Sequence, residues 1–369
     1  MTRRLPLAAW IAPSTLCIVA LWAPPAHAVG PDAKDVRAVL DKGYAFLKQH
    51  QGEDGSWSPR TAGPGVTALV VSALLRNGYG DDDPVVAKGL DYLEKNVKQD
   101  GGVYSKGLAN YTTSVALMAF QEADKGGKYD AIIKNATKFL KGLQDDAADP
   151  KDPHFGGVGY DGKGRPDLSN TQFFIDSLIQ AGVPKDDPAI QRALKFVDRC
   201  QNQPGPEAND QPFAAKATAD DKGGFVYRPD PDDKEHKTPD GGLRSLGAMT
   251  YGGLKSFLYA GVKKDDPRVQ GAVKWIRSHY TLEENPGMGQ AGLFYYLHTF
   301  GKAMSALGDD EFEDAKGVKH DWRKELFDAL KSRQQEDGGF INKGDKAFGE
   351  ADDNLATGFA LLALSYAKK

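Results

Sequence analysis

The chain has 369 residues, 47 basic and 51 acidic side chains, a formal net charge of −4 and two cysteines, Cys17 and Cys200. With a pI near 6.0 and basic residues scattered among acids, nothing in its charge calls for nucleic acid or an anionic membrane surface as partner. The first residues, MTRR, are basic and precede an apolar run over 5–24 and the small-x-small site Ala26, His27, Ala28. That order predicts a secretory signal peptide over 1–28, its apolar core broken by Pro13 and Pro24 and so unsuited to a retained membrane span. The mature chain, 29–369, is expected to be exported, periplasmic or extracellular, without a membrane span. Cys200 is then its only cysteine, which excludes an intramolecular disulfide.

Taken in order, residues 36–51 place Val36, Val39, Leu40, Tyr44, Phe46 and Leu47 at helical spacings with polar residues between them, an amphipathic helix. The turn GEDGSW follows, and then TALVVSALL over 67–75, apolar nearly all round, as a helix covered on every side is. The unit is an outer helix, a glycine turn and an inner helix. It returns with KGLDYL at 88–93, a turn at Gly101 and Gly102 and an inner segment over 112–120. NATKFLKGLQ at 135–144 and SNTQFFIDSLIQAG at 169–182 make the third copy. RALKFVDRCQ at 192–201, a polar insertion over 203–222 and an inner segment over 247–261 make the fourth. GAVKWI at 271–276, a degenerate turn over 284–289 and GLFYYLHTF at 292–300 make the fifth. ALKSRQQEDGGF at 329–340 and ADDNLATGFALLAL at 351–364 make the sixth.

Repeats are thus expected at about 36–78, 84–123, 129–182, 188–261, 267–308 and 322–367, all in one domain. An open solenoid needs polar caps on its terminal repeats, yet the last inner segment, with Phe359, Leu361, Leu362 and Leu364, is as apolar as the first. Closure solves this. The expected fold is an all-α (α/α)6 toroid, six inner helices in a ring wrapped by six outer ones.

Lys42, Gly43, Phe46, Leu47, Gln51, Gly55 and Trp57 fill every place of the QW motif, so the chain resembles the squalene cyclase and protein prenyltransferase repeat superfamily. Arg192, Ala193, Phe196, Val197 and Gln201 repeat the first half of the motif, and Leu330, Gln334, Gly338 and Phe340 the second. The resemblance implies an α/α toroid, and it marks these residues as braces between helix pairs rather than as a site.

Asp-Asp-Pro recurs at 82–84, 186–188 and 265–267, each time with its Pro six residues after a glycine. That repetition reads as helix capping, Asp as N-cap and Pro at the first helical position, and not as a magnesium cluster. Glu350, Asp352, Asp353 and Asn354 gather acids at the start of an inner helix, as no other repeat does. In squalene-hopene-type cyclases this place resembles the DxDD motif, whose middle Asp protonates the substrate alkene. The resemblance therefore makes Asp352 and Asp353 the candidate catalytic acids, with helix capping as the alternative. Tyr251, Tyr295, Tyr296, His298, Phe173 and Asn170 are the candidate lining of a cavity for an apolar ligand, where aromatic faces can stabilise a carbocation.

A prenyltransferase-type zinc site from Asp198, Cys200 and His279 or His298 is set aside, because Asp198 and Cys200 fall within the brace of an outer helix; no metal and no cofactor is expected. Three functions follow as expectations: an exported, cyclase-like toroid whose cavity takes an apolar, isoprenoid-type ligand; a non-catalytic exported binding or scaffold toroid; and a glycan-acting enzyme using Asp352 with Glu350 or Asp176.

Overall fold

The structure, a computed structural model, describes residues 29–145, 149–205, 208–230, 236–345 and 347–368; the expected signal peptide lies outside them. Helix α1 (Ala33–His50) starts at Asp32, whose side chain accepts from the Lys34 amide, and buries Val36, Val39, Leu40, Phe46 and Leu47 along one face. After the single turn α2 (Pro59–Ala62), α3 (Pro64–Arg76) is buried from Pro64 through Leu74. The alternation of one-sided and all-round burial repeats in α4 (Pro84–Lys95) and α5 (Ala109–Ala123), then α6 (Asp130–Lys141) and α7 (Leu168–Gln180). It continues through α8 (Pro188–Arg199) and α9 (Gly247–Tyr259), α10 (Pro267–Ser278) and α11 (Leu293–Leu307), and α12 (Trp322–Lys331) and α13 (Asp353–Ala367). A small hairpin of β1 (Phe312–Glu313) and β2 (Lys319–His320) precedes α12. Asp83, Asp187 and Asp266 cap α4, α8 and α10 with Pro at the first helical position, as the Asp-Pro repetition predicts.

The inner helices pack in sequence, α3 on α5, then α7, α9, α11 and α13, and α13 packs back on α3. The fold is the all-α (α/α)6 toroid. No helix among the described residues is long and apolar enough to cross a membrane.

Three backbone devices repeat around the ring. Each brace glutamine donates to the carbonyl of its own glycine turn and to one in the N-terminal half of the next outer helix. Gln51 reaches Gly55 and Val85, Gln144 reaches Gly156 and Ala189, Gln201 reaches Gly223 and Arg268, and Gln334 reaches Gly338 and Val39. The last of these joins the sixth repeat to the first. The turn glycines Gly55, Gly101, Gly156, Gly223 and Gly338 have φ between 85° and 93°, and a Cβ at each would run into a backbone carbonyl of the next outer helix. The residue after each turn donates its amide to an inner-helix threonine, Trp57 to Thr67, Val103 to Thr113, Val158 to Thr171, Phe225 to Thr250 and Phe340 to Thr357.

Candidate functional site: the central cavity

Because every inner helix follows an outer one, all six run the same way and their N-termini converge at one end of the toroid axis. The amides there need acceptors, and the loop of the following repeat supplies them. Tyr160 carbonyl takes the Asn110 amide of α5, and Tyr227 carbonyl the Leu168 amide of α7. Asn285 Oδ1 takes the Ala248 amide of α9 at 3.0 Å. Glu350 takes the Phe294 and Tyr295 amides of α11 at 3.1 and 2.7 Å.

The acids of the sixth repeat find their place in this sequence of caps. Glu350, fully buried, serves the neighbouring helix, and burial raises its carboxyl to about 7 although three donors face it. Asp352 caps its own helix by accepting from the Leu355 amide, and its two oxygens also accept from Ser58 and Thr61 hydroxyls at 2.9 and 2.6 Å. Asp353 occupies the first turn of α13, and neither it nor Asp352 lines the cavity.

Inside this collar lies a cavity of about 820 Å³, open at the N-terminal end. Tyr111, Phe173, Tyr295, Phe348 and Phe359 form its aromatic wall, with Leu108, Leu246, Met249, Met288 and Leu355 between them. Tyr111 meets Phe173 edge-on at 5.3 Å between centroids, and Tyr295 stands 6.2 Å beyond it. Arg165, Arg228, Asp230 and His236 line it too, and Arg165 pairs with Asp230 at 2.5 Å.

Of the residues the sequence singles out, Phe173, Asn170 and Tyr295 line this cavity. Tyr251, Tyr296 and His298 stand behind the wall. The reason is helical phase: Tyr296 follows Tyr295 by about 100° and turns outward, where its hydroxyl donates to the Thr281 carbonyl and its ring meets Tyr251 at 5.7 Å. His298 lies buried against Phe359 and Tyr366, its Nδ1 without a partner among the described residues; burial, with Lys302 and Lys255 nearby, holds its pKa far below the ordinary imidazole value.

A capping turn that the sequence reading passed over faces the cavity instead. Asp167 caps α7 through the Asn170 amide and side chain, and burial raises it to about 6. Asp167, Ser169 and Asn170 fall at the DxDD spacing with only the first acid kept, and Ser169, a cavity-lining residue, takes the middle place. The spacing is legible in the sequence, but serine and asparagine at the two inner places carry no charge that would mark it as an acid cluster.

At the opposite end the inner helices' C-termini close the axis with charge. Asp176 of α7 is buried between Lys255 of α9, at 2.5 Å, and Lys302 of α11, at 2.8 Å. Burial alone would raise the Asp176 carboxyl, but the two amines hold it below its usual range, while burial pulls Lys255 down to about 8. Nearer the surface Arg76 bonds Glu122 at 3.1 Å and lies 4.6 Å over the Tyr366 ring. Arg76, in the last turn of α3, is placed to offset that helix's macrodipole. Among the described residues no group of His, Cys, Asp and Glu is arranged to hold a metal ion.

Residues 59–218, which include the Asp167 turn, match the family model of the squalene-hopene cyclase C-terminal domain. That model covers less than half of the chain, and the fold is an α/α toroid like that of terpene cyclases. Among solved structures the chain is similar to type II terpene cyclase MstE from Scytonema, at 13% identity and a TM-score of 0.56 over 91% of this chain and 98% of that one. It is also similar to a D-mannose isomerase, at 11% identity and 0.56 over 91% and 97%, and to a glycosyl hydrolase family 88 protein from Bacteroides vulgatus, at 12% and 0.54 over 90% and 98%. At these identities the likeness is one of fold alone. Curated proteins offer no match.

Proposed function

We propose that this protein is an exported toroid that holds an apolar, isoprenoid-like molecule in its central cavity and does not cyclise it. The observation that carries the reading is the composition of the wall. Aromatic and aliphatic side chains from five inner helices enclose a volume suited to a medium-sized lipid, and the one carboxylate among the described lining residues, Asp230, is paired with Arg165. Protonating an alkene needs a strong acid aimed at the ligand. Ser169 stands at the middle place of the DxDD spacing, and Asp352, the other candidate, does not line the cavity and is engaged by an amide and the hydroxyls of Ser58 and Thr61. Glycan cleavage is disfavoured on similar grounds, since Asp176 is locked between two lysines and Glu350 is buried as a cap. Export is part of the proposal and rests on residues 1–28.

Mass spectrometry of lipids that co-purify with the protein secreted by its host tests the reading. An apolar lipid at near-stoichiometric yield, recovered unchanged, is expected. No bound lipid would remove the binding reading, and conversion of an added linear C20 or C30 polyene into a cyclic product would replace it with a cyclase.

A further inference from the structure

Charged groups line part of the cavity, and within its aromatic wall there is one polar spot where the hydrogen-bond inventory does not close. Ser169 Oγ and Tyr295 Oη are 2.9 Å apart, one on α7 and one on α11, and both residues line the cavity. Behind them Gln172, almost fully buried, donates its side-chain amide to the same Tyr295 oxygen. A primary amide nitrogen has no lone pair to offer, so it takes no proton from the tyrosine. The reverse orientation of the Gln172 amide would strand its NH2 group, the costlier orphan, where the carbonyl oxygen Oε1 now lies without a partner. Two hydroxyl groups thus share one bond between them, which uses one of their two protons. The other is left over. Whichever residue carries it, the proton belongs to a group on the cavity wall, and Ser169, unlike Tyr295, keeps part of its surface open. A hydroxyl proton left without an acceptor costs free energy comparable to a lost hydrogen bond.

We infer that the Ser169–Tyr295 pair is a docking point for an acceptor oxygen, so that the ligand is an apolar molecule bearing a carbonyl or ether oxygen rather than a plain hydrocarbon. This rests on the binding function proposed above. It also explains why a serine in the first turn of α7 touches a tyrosine from an inner helix across the cavity: the pair presents one donor, with the Phe173 ring beside it for the adjoining chain.

The experiment compares two probes, farnesylacetone and the hydrocarbon of the same chain with its carbonyl replaced by a methylene, each displacing a fluorescent isoprenoid from the full-length mature protein. The ketone is expected to bind about tenfold more tightly, the worth of one net hydrogen bond. In Ser169→Ala combined with Tyr295→Phe, checked for a native melting transition, the ratio is expected to fall to within about twofold. Ser169→Ala alone frees the tyrosine proton and should keep part of the preference. Equal affinities in the unmodified protein, or a ratio unchanged in the double variant, would overturn the inference and leave the binding function standing. If neither probe displaces the fluorophore, it is the binding function that fails.

Discussion

Glu350 shows how a single residue can be read correctly as unusual and still be read for the wrong chemistry. Its sequence neighbourhood looks like an acid motif, but its carboxylate reaches past its own helix to the amides of α11, a contact separated by more than 50 residues and invisible to local spacing. Its pH behaviour is a check. The folded chain raises this carboxyl from 4.5 to about 7, so the folded state holds the proton more tightly than the unfolded one. The group's contribution to stability is therefore complete below pH 4.5 and is lost as pH rises through 7, by at most about 3 kcal/mol. Urea unfolding of wild type and Glu350→Gln from pH 4.5 to 7.5 should show the gap between the two narrowing or reversing as pH rises; parallel curves would mean that the carboxyl titrates as an ordinary glutamate. The Ser169 turn shows the converse case. It fits the motif's spacing, yet a serine and an asparagine carry no charge to draw notice, and only the cavity reveals what they face.

At the scale of elements the sequence was far more legible. Outer and inner helices announce themselves by one-sided and all-round apolarity, and the QW places correspond to definite contacts: glutamine to two carbonyls, glycine to the neighbouring helix backbone. The second place of the motif is small because the preceding repeat leaves no room, as at Gly89, where a Cβ would meet Val71 and Trp57. The threonine that accepts the amide after each turn was not foreseen, since threonine is common enough in helices that its recurrence carries no contrast. Two glycines separate backbone strain from steric contact. Gly78 and Gly338 have nearly equal φ, 93° and 92°, but a Cβ on Gly78 meets nothing within 4 Å whereas one on Gly338 meets the Lys42 carbonyl. Gly78→Ala should cost about 1 kcal/mol from conformation alone, and Gly338→Ala roughly 2–4 kcal/mol because α1 must also shift. Equal losses in thermal unfolding would show that the turn does not seat on the helix.

For the whole molecule, closure followed from an argument about apolar surface, while the contents of the ring did not follow from anything local. The Asp176, Lys255 and Lys302 cluster joins three helices far apart in sequence, and helical spacing alone does not tell a buried lysine from a surface one. Removing its anion leaves two buried ammonium groups facing each other, so Asp176→Asn should cost about 3–5 kcal/mol. Combining Asp176→Leu, Lys255→Met and Lys302→Met removes every charge and should recover most of that loss in denaturant titrations. A triple variant as unstable as the single one would show that the cluster contributes by its shape rather than its charge.

The bond from Gln334 to the Val39 carbonyl, together with the packing of α13 on α3, also bears on the order in which the chain can be built. A polypeptide emerges from its N-terminus, so the first helix pair to be synthesised waits for the last before its exposed flank is covered. Until α13 arrives, both lips of an unfinished ring present apolar surface at once, and a chain stopped before Asp353 has no blunt end to fall back on. Nascent chains truncated one helix at a time, assayed for protease resistance, should stay sensitive throughout and become resistant in one step when α13 is complete.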